Sequence, residues 1–243
     1  MKIFVSTSDG HDLAIKPFSY LFNKFWSPTQ EVTVLGYRQP LFESPSNFNF
    51  VSMAPKQETI KQWSTDLRNF FKTVKDEYFV YSVEDNLIVR PVDFEILEEL
   101  KTYLKDDKVG RIGFTSDVGA HKGIEELKIE DGYKIIERKQ DSNCRVSAMW
   151  SLWKKEYILK WLVPNREPWE SETEGCEEAR KDGYRVIGSS GRNVIQCACS
   201  TRKGKLDIPL DFRLINNEKE SLSEDIINDM KEKNIISEKG TLI

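Results

Sequence analysis

The sequence is poor in the residues from which metal and redox sites are built. It holds two histidines, His11 and His121, and four cysteines. Cys144, Cys176, Cys197 and Cys199 form no CxxC pair, and the histidines have no metal-ligand spacing. A structural zinc is therefore not expected, and four reduced thiols serving as small core residues are. No GxxxxGK[ST] exists, which excludes a P-loop nucleotide site, and no GxGxxG follows the first apolar run, which argues against a Rossmann dehydrogenase. No stretch approaches the roughly 20 apolar residues of a membrane span. No apolar run leads to a small-residue cleavage site, and no NxS/T sequon occurs. The formal net charge is only −4, so a broad nucleic-acid-binding surface is not expected. These absences together describe a soluble, cytoplasmic chain, long enough at 243 residues to bury a real core.

What is present is a sequence of alternating periods. Lys2 to Ser6 reads as a strand, followed by the polar loop Thr7-Ser8-Asp9-Gly10-His11-Asp12 and a helix to about Phe25. Strands are predicted at Glu31 to Tyr37 and Phe48 to Met53. A helix from about Pro55 to Val74 carries Ile60, Trp63, Leu67, Phe70 and Phe71 on one face. Tyr78 to Val83 has only Ser82 polar, the pattern of a strand buried on both faces. Asp93 caps a further helix. Later strands are predicted at Arg111 to Thr115, Tyr133 to Arg138, Arg145 to Ala148 and Tyr184 to Gly188, and helices at Leu152 to Leu162, Pro168 to Lys181 and Ser221 to Lys233. The order strand, helix, strand, strand, helix, strand implies an α/β sheet covered on both sides.

The strand YFVYSV runs directly into Glu84, Asp85 and Asn86. In open α/β sheets, ligands gather outside the carboxyl ends of strands, and three short polar side chains there suit a metal diphosphate or sugar hydroxyls. A plain turn is the competing account, since Asp-Asn is good turn chemistry. One helix upstream, QWSTDLRNFF carries Asp66 and Arg68, which either orient a ligand or pair across the helix surface. Downstream, PWESE places Glu170 and Glu172 in a helix's first turn. There the macrodipole favours ionised carboxylates, as a resting base or as an ordinary helix start.

These residues, taken in order, resemble nucleotide-sugar-dependent glycosyltransferases of the GT-A fold, of the compact bacterial or large-DNA-virus type. The resemblance rests on an N-terminal β-α-β half ending in an acidic motif of the DxD type, Glu84-Asp85-Asn86. A "W..DLR.FF" helix precedes that motif and a "W..WKKEYI…PWESE" segment follows it, over roughly residues 1 to 200. It implies one GT-A-like α/β domain with a central, mostly parallel mixed sheet flanked by helices. Residues 1–90 would form the nucleotide-sugar half, 91–205 the acceptor and catalytic half, and 206–243 a tail with a helix.

The implied reaction moves a sugar from a nucleoside-diphosphate sugar to a glycan or other hydroxyl acceptor, with inversion and with Glu172, or second Glu170, as base. Ser6, Thr7, Asp9, Asp66, Arg68, Glu84, Asp85 and Asn86 would contact the donor, and Trp150 and Trp169 the acceptor. Trp153 and Trp161 are expected in the core. The family's divalent cation, Mn2+ or Mg2+, would rest on Asp85. Asn86 stands where the related E-D-D form has a metal-binding acid, and a neutral amide is a weaker ligand for a hard cation. Without a metal, Arg202, Lys203 and Lys205 of STRKGK would close over the phosphates, unless that run is a solvated loop. The alternatives are a non-catalytic nucleotide- or carbohydrate-binding protein on the same scaffold, or a sugar nucleotidyltransferase. The latter is disfavoured because the loop after the first strand has one glycine and no adjacent Lys or Arg.

Overall fold

The computed structural model describes residues 1–119, 122–143, 145–202, 205–206, 211–213, 219–237 and 242–243. Lys203, and with it the expected grip of Arg202, Lys203 and Lys205 on phosphates, lies outside the described residues and side chains, as do His121 and Cys144.

The core is one nine-stranded sheet in the order β3-β2-β1-β4-β9-β6-β10-β8-β7. Its strands are β1 (Ile3–Ser6), β2 (Val32–Gly36), β3 (Phe48–Ser52), β4 (Tyr78–Val83), β6 (Val109–Gly113), β7 (Ile124–Glu130), β8 (Tyr133–Arg138), β9 (Ser151–Lys154) and β10 (Arg185–Ser190). β9 is antiparallel to both β4 and β6, and β8 to both β10 and β7, while the remaining pairs are parallel. All strands but β8 and β9 thus share one direction. A short β5 (Asn86–Ile88) leaves the sheet after the Glu84-Asp85 turn and pairs antiparallel with β11 (Cys197–Cys199).

Side-chain alternation divides the apolar residues between two faces. Ile3, Val5 and Val80 enter one core, with Phe18 and Phe22 of α1 (Ile15–Phe25) and Ile96 and Leu100 of α3 (Phe94–Lys101). Phe4, Phe79 and Tyr81 enter the other, against Trp63, Leu67 and Phe71 of α2 (Gln62–Thr73) and Tyr157 and Trp161 of α4 (Lys155–Trp161). Each such fully buried side chain stabilises by roughly 1.5–3 kcal/mol, so two-sided burial explains why YFVYSV has almost no polar residue. α6 (Glu224–Glu232) adds Ile226 and Met230 to the first core. Asp93 caps α3 as expected, its Oδ1 accepting from the Ile96 amide at 3.2 Å.

Several expectations are corrected. Arg145 to Ala148 is not a strand, and the strand lies later, at β9, where a helix was expected to begin. β7 was not anticipated. α2 starts at Gln62, not near Pro55.

α5 (Pro168–Ala179) packs so closely on α4 that a Cβ at Gly175 would overlap the Trp161 indole. Gly→Ala inside a helix gains up to about 1 kcal/mol in propensity, but overpacking costs about 1–3 kcal/mol. Gly175→Ala is therefore expected to lower Tm in a thermal melt, where an exposed helical glycine would raise it.

Candidate active site

The carboxyl ends of β1, β4 and β6 lie on one side of the sheet, and the chain places polar residues at each. Two of the expected donor contacts are occupied inside the fold. Ser6, 1% exposed, shares a hydrogen bond of 2.8 Å with the Tyr81 hydroxyl and accepts from Trp63 Nε1 at 3.3 Å. Its hydroxyl thus joins β1 to β4 and α2. Thr7 is buried as well, its amide extending the ladder to Leu35 O. Asp9 accepts from the Arg38 amide and Nε, at 3.0 and 2.9 Å, tying the loop after β1 to that after β2. Asp66 lies beside the buried Tyr37 hydroxyl, which burial and this carboxylate push upward in pKa. Arg68 donates to Leu162 O at 3.1 Å and so braces α2 on the end of α4.

The three residues of the acidic motif behave differently. The Glu84 amide continues the β1–β4 ladder to Ser6 O, and its buried carboxylate lies 3.3 Å from His11 Nδ1. Burial raises the Glu84 pKa, while the same contact raises that of His11. Asp85 accepts from Cys199 Sγ at 3.2 Å, and its carbonyl accepts from the Ser200 amide at 2.8 Å. Asn86 turns inward at 3% exposure, donating to Ser82 Oγ and to Ala148 O, at 3.3 and 3.4 Å. As a donor contact it is therefore corrected, because its amide is enclosed between strands.

The motif presents one carboxylate, Asp85, to a cation. Among the described residues no group of three or more His, Cys, Asp or Glu could hold a metal ion. That donor set fits a cation arriving with substrate phosphates, which can use a single carboxylate, and does not fit a resident ion in an all-protein cage.

Trp150 is also corrected. It is fully buried, stacked on Phe18 at 5.5 Å between ring centroids, and donates from Nε1 to Asn86 O at 2.8 Å. No acceptor can reach it. Trp169 is 71% exposed and borders a cavity of about 450 Å³ lined also by Asp117, Ser147, Glu172 and Arg180.

The two PWESE acids separate cleanly. Glu170 accepts from the Glu167 amide at 3.2 Å in a capping box and pairs with Lys61 Nζ at 2.7 Å, which holds its carboxyl below the usual range. Those contacts turn it to Lys61 and the helix start, and it does not line the cavity. Glu172 faces the cavity, its Oε1 accepting from the Ala148 amide at 2.6 Å. Burial raises its pKa, opposed by that amide and by Arg111. The carbonyl of Ala148 accepts from Asn86 Nδ2 at 3.4 Å and its amide donates to Glu172, so the end of β4 and the cavity are neighbours.

Two residues at the site were missed. Asp117 follows β6, accepting from Arg111 Nη2 at 2.5 Å and Thr115 Oγ1 at 2.7 Å. Arg111 is fully buried. Thr115-Ser116-Asp117 after an apolar strand repeats the signal that singled out Glu84-Asp85, so it was findable. His11 offered none, being a lone histidine in a loop.

No protein-family model matches the sequence, and no curated protein matches it. Among solved structures, a mannosyltransferase from Pyrobaculum calidifontis, in complex with GDP-Man and Mn2+, is similar with a TM-score of 0.50 and 13% identity. The match covers 84% of this chain and 57% of that one, so the chain spans little more than half the length of that enzyme. A UDP-glucose pyrophosphorylase complexed with UDP-glucose has a TM-score of 0.44 and 12% identity, over 81% of this chain and 91% of that one. A cytidylyltransferase from Leptospira borgpetersenii has a TM-score of 0.41 and 10% identity, over 74% and 71%. The likeness to the mannosyltransferase shows a GT-A-like α/β fold, a large, mostly parallel mixed sheet between helices.

Proposed function

We propose that the protein is a glycosyltransferase that moves a sugar from a nucleoside-diphosphate sugar to a hydroxyl acceptor with inversion. The observation that carries this reading is Glu172, a partly buried carboxylate held by a backbone amide in a cavity joined to the acidic end of β4 through Ala148. The donor lies across the ends of β1 and β4, with Asp85 toward its diphosphate. The acceptor enters the cavity against the exposed face of Trp169, whose ring stacks on a sugar.

Glu172 takes the proton from the acceptor hydroxyl as that oxygen bonds to the anomeric carbon. The bond from that carbon to the diphosphate breaks on the opposite face, through an oxocarbenium-like transition state, and its electrons leave with the phosphate. A divalent cation bound with the donor would help neutralise that departing charge.

The test is a thermal-shift plate of nucleotide sugars with and without Mn2+. A ligand at 100 times its dissociation constant stabilises by about 2.7 kcal/mol, which for a chain of this size is roughly 5–10 °C in Tm. One nucleotide series is expected to shift the melt, and a flat plate would overturn the reading. In transfer assays, Glu170→Ala is expected to leave turnover unchanged while slightly lowering Tm, since it removes a helix cap and an exposed ion pair. Loss of turnover there would reassign the base.

A further inference from the structure

The pair formed by His11 and Glu84 has no part in the reaction above. A carboxylate as enclosed as that of Glu84 needs a partner, and the His11 ring lies 3.3 Å from it, an ion pair when the ring is protonated. The ring itself is not enclosed. Its side chain is 36% exposed, on the loop just beyond the carboxyl end of β1. That loop is pinned on both sides of the histidine, by His11 N to Ser8 O at 3.0 Å and Ala14 N to His11 O at 2.9 Å. With Nδ1 turned to the carboxylate, Nε2 is the ring nitrogen left for a second partner.

The surroundings give that atom a task. Asp85 lies within electrostatic reach of the ring, and without a cation it would repel a phosphate, so a diphosphate there needs a positive partner. Arg38, held to the same loop through Asp9, is already engaged by that carboxylate.

We propose that His11, oriented by Glu84, is a phosphate-binding residue of the donor site, its imidazolium Nε2–H donating to the diphosphate. The proposal rests on the donor-site reading given above. The carboxylate contact favours the protonated ring, as the upward direction of the His11 pKa indicates. Glu84 then acts through His11 as a positioning residue and touches no substrate itself.

The experiment is calorimetric titration in EDTA of the wild-type chain and of His11→Gln and His11→Lys, with GDP, UDP, ADP, inorganic diphosphate and the free nucleosides as probes. Gln keeps a donor for Glu84 but lacks the charge, and Lys keeps the charge. A charge-assisted hydrogen bond to phosphate corresponds to about a tenfold to hundredfold change in affinity. His11→Gln is expected to lose that factor for the diphosphates, to bind the nucleosides as before and to melt near wild type, and His11→Lys to recover part of the loss. Equal diphosphate affinity in wild type and His11→Gln would overturn the His11 assignment alone. So would a loss shared by diphosphate and nucleoside together with a lowered Tm, which marks a purely structural histidine. A wild-type chain that binds no probe, in EDTA or in a repeat with Mn2+, would instead remove the donor site itself.

Discussion

Glu172→Gln is expected to abolish transfer, by about 10²–10⁴-fold in kcat, while leaving donor affinity by calorimetry unchanged. The amide keeps an oxygen for the Ala148 N–H, so the cavity wall and the helix start should survive and a thermal melt should stay close to wild type. Only the proton acceptor is lost. The pH profile gives an independent reading of the same group. A base works deprotonated, and burial holds the Glu172 pKa above the ordinary 4.5. The acid limb of kcat/KM should therefore lie above pH 4.5, with activity lost as pH falls through it. A variant with normal turnover, or a profile with no such limb, would take Glu172 out of the mechanism.

The largest stability effect is expected at Asp117. Arg111 is fully buried, its guanidinium 5.3 Å from the Trp153 ring, and Asp117 is its carboxylate partner. Its other hydrogen bonds, to Ser151 Oγ and Arg145 O, are to neutral groups. Asp117→Ala leaves an uncompensated buried cation, which costs about 3–5 kcal/mol. Asp117→Leu combined with Arg111→Met replaces the pair by apolar groups and should recover most of that loss, because desolvating two charges consumes much of what their attraction returns. Denaturant melts of the single and double variants form a thermodynamic cycle. Additive losses would show that the two residues are independent. The same cycle reads the cavity, since Arg111 lowers the Glu172 pKa and Asp117 raises it. Asp117→Asn should therefore move the acid limb of the rate profile downward, and the apolar double variant should not.

The opening half of the chain was readable because its elements bury whole faces. α2 repeats Trp63, Leu67 and Phe71 at helical spacing, and β4 is apolar on both sides because two cores need it. The later half obeys the same physics with weaker signals. β9 is four residues long and all buried, and its Trp153 falls in helical phase with Tyr157 and Trp161 of α4, so strand and helix read as one element. β7, with the sequence IEELKIE, is an edge strand whose stability comes from backbone pairing to β8, and it carries no apolar run to betray it.

The site was partly legible for a related reason. Sequence position brings Glu170 and Glu172 to the same helix turn but does not say which way either points. Pro168 at the first helical position makes Glu167 the cap and Glu170 its reciprocal partner, which leaves Glu172 for the cavity. Ser6, Asn86 and Trp150 sit at the expected strand ends, yet the interior needs their hydrogen bonds and ring surface more than a ligand does.

Ala148 links the acidic motif to the cavity through a single residue. Its carbonyl accepts from Asn86 in the acidic motif, and its amide donates to Glu172. If the proposed donor shifts the Asp85 turn, this tether would carry the displacement toward the Glu172 carboxylate. Loading of the first substrate would then cock the proton acceptor for the second, giving compulsory-order kinetics without any hinge between lobes.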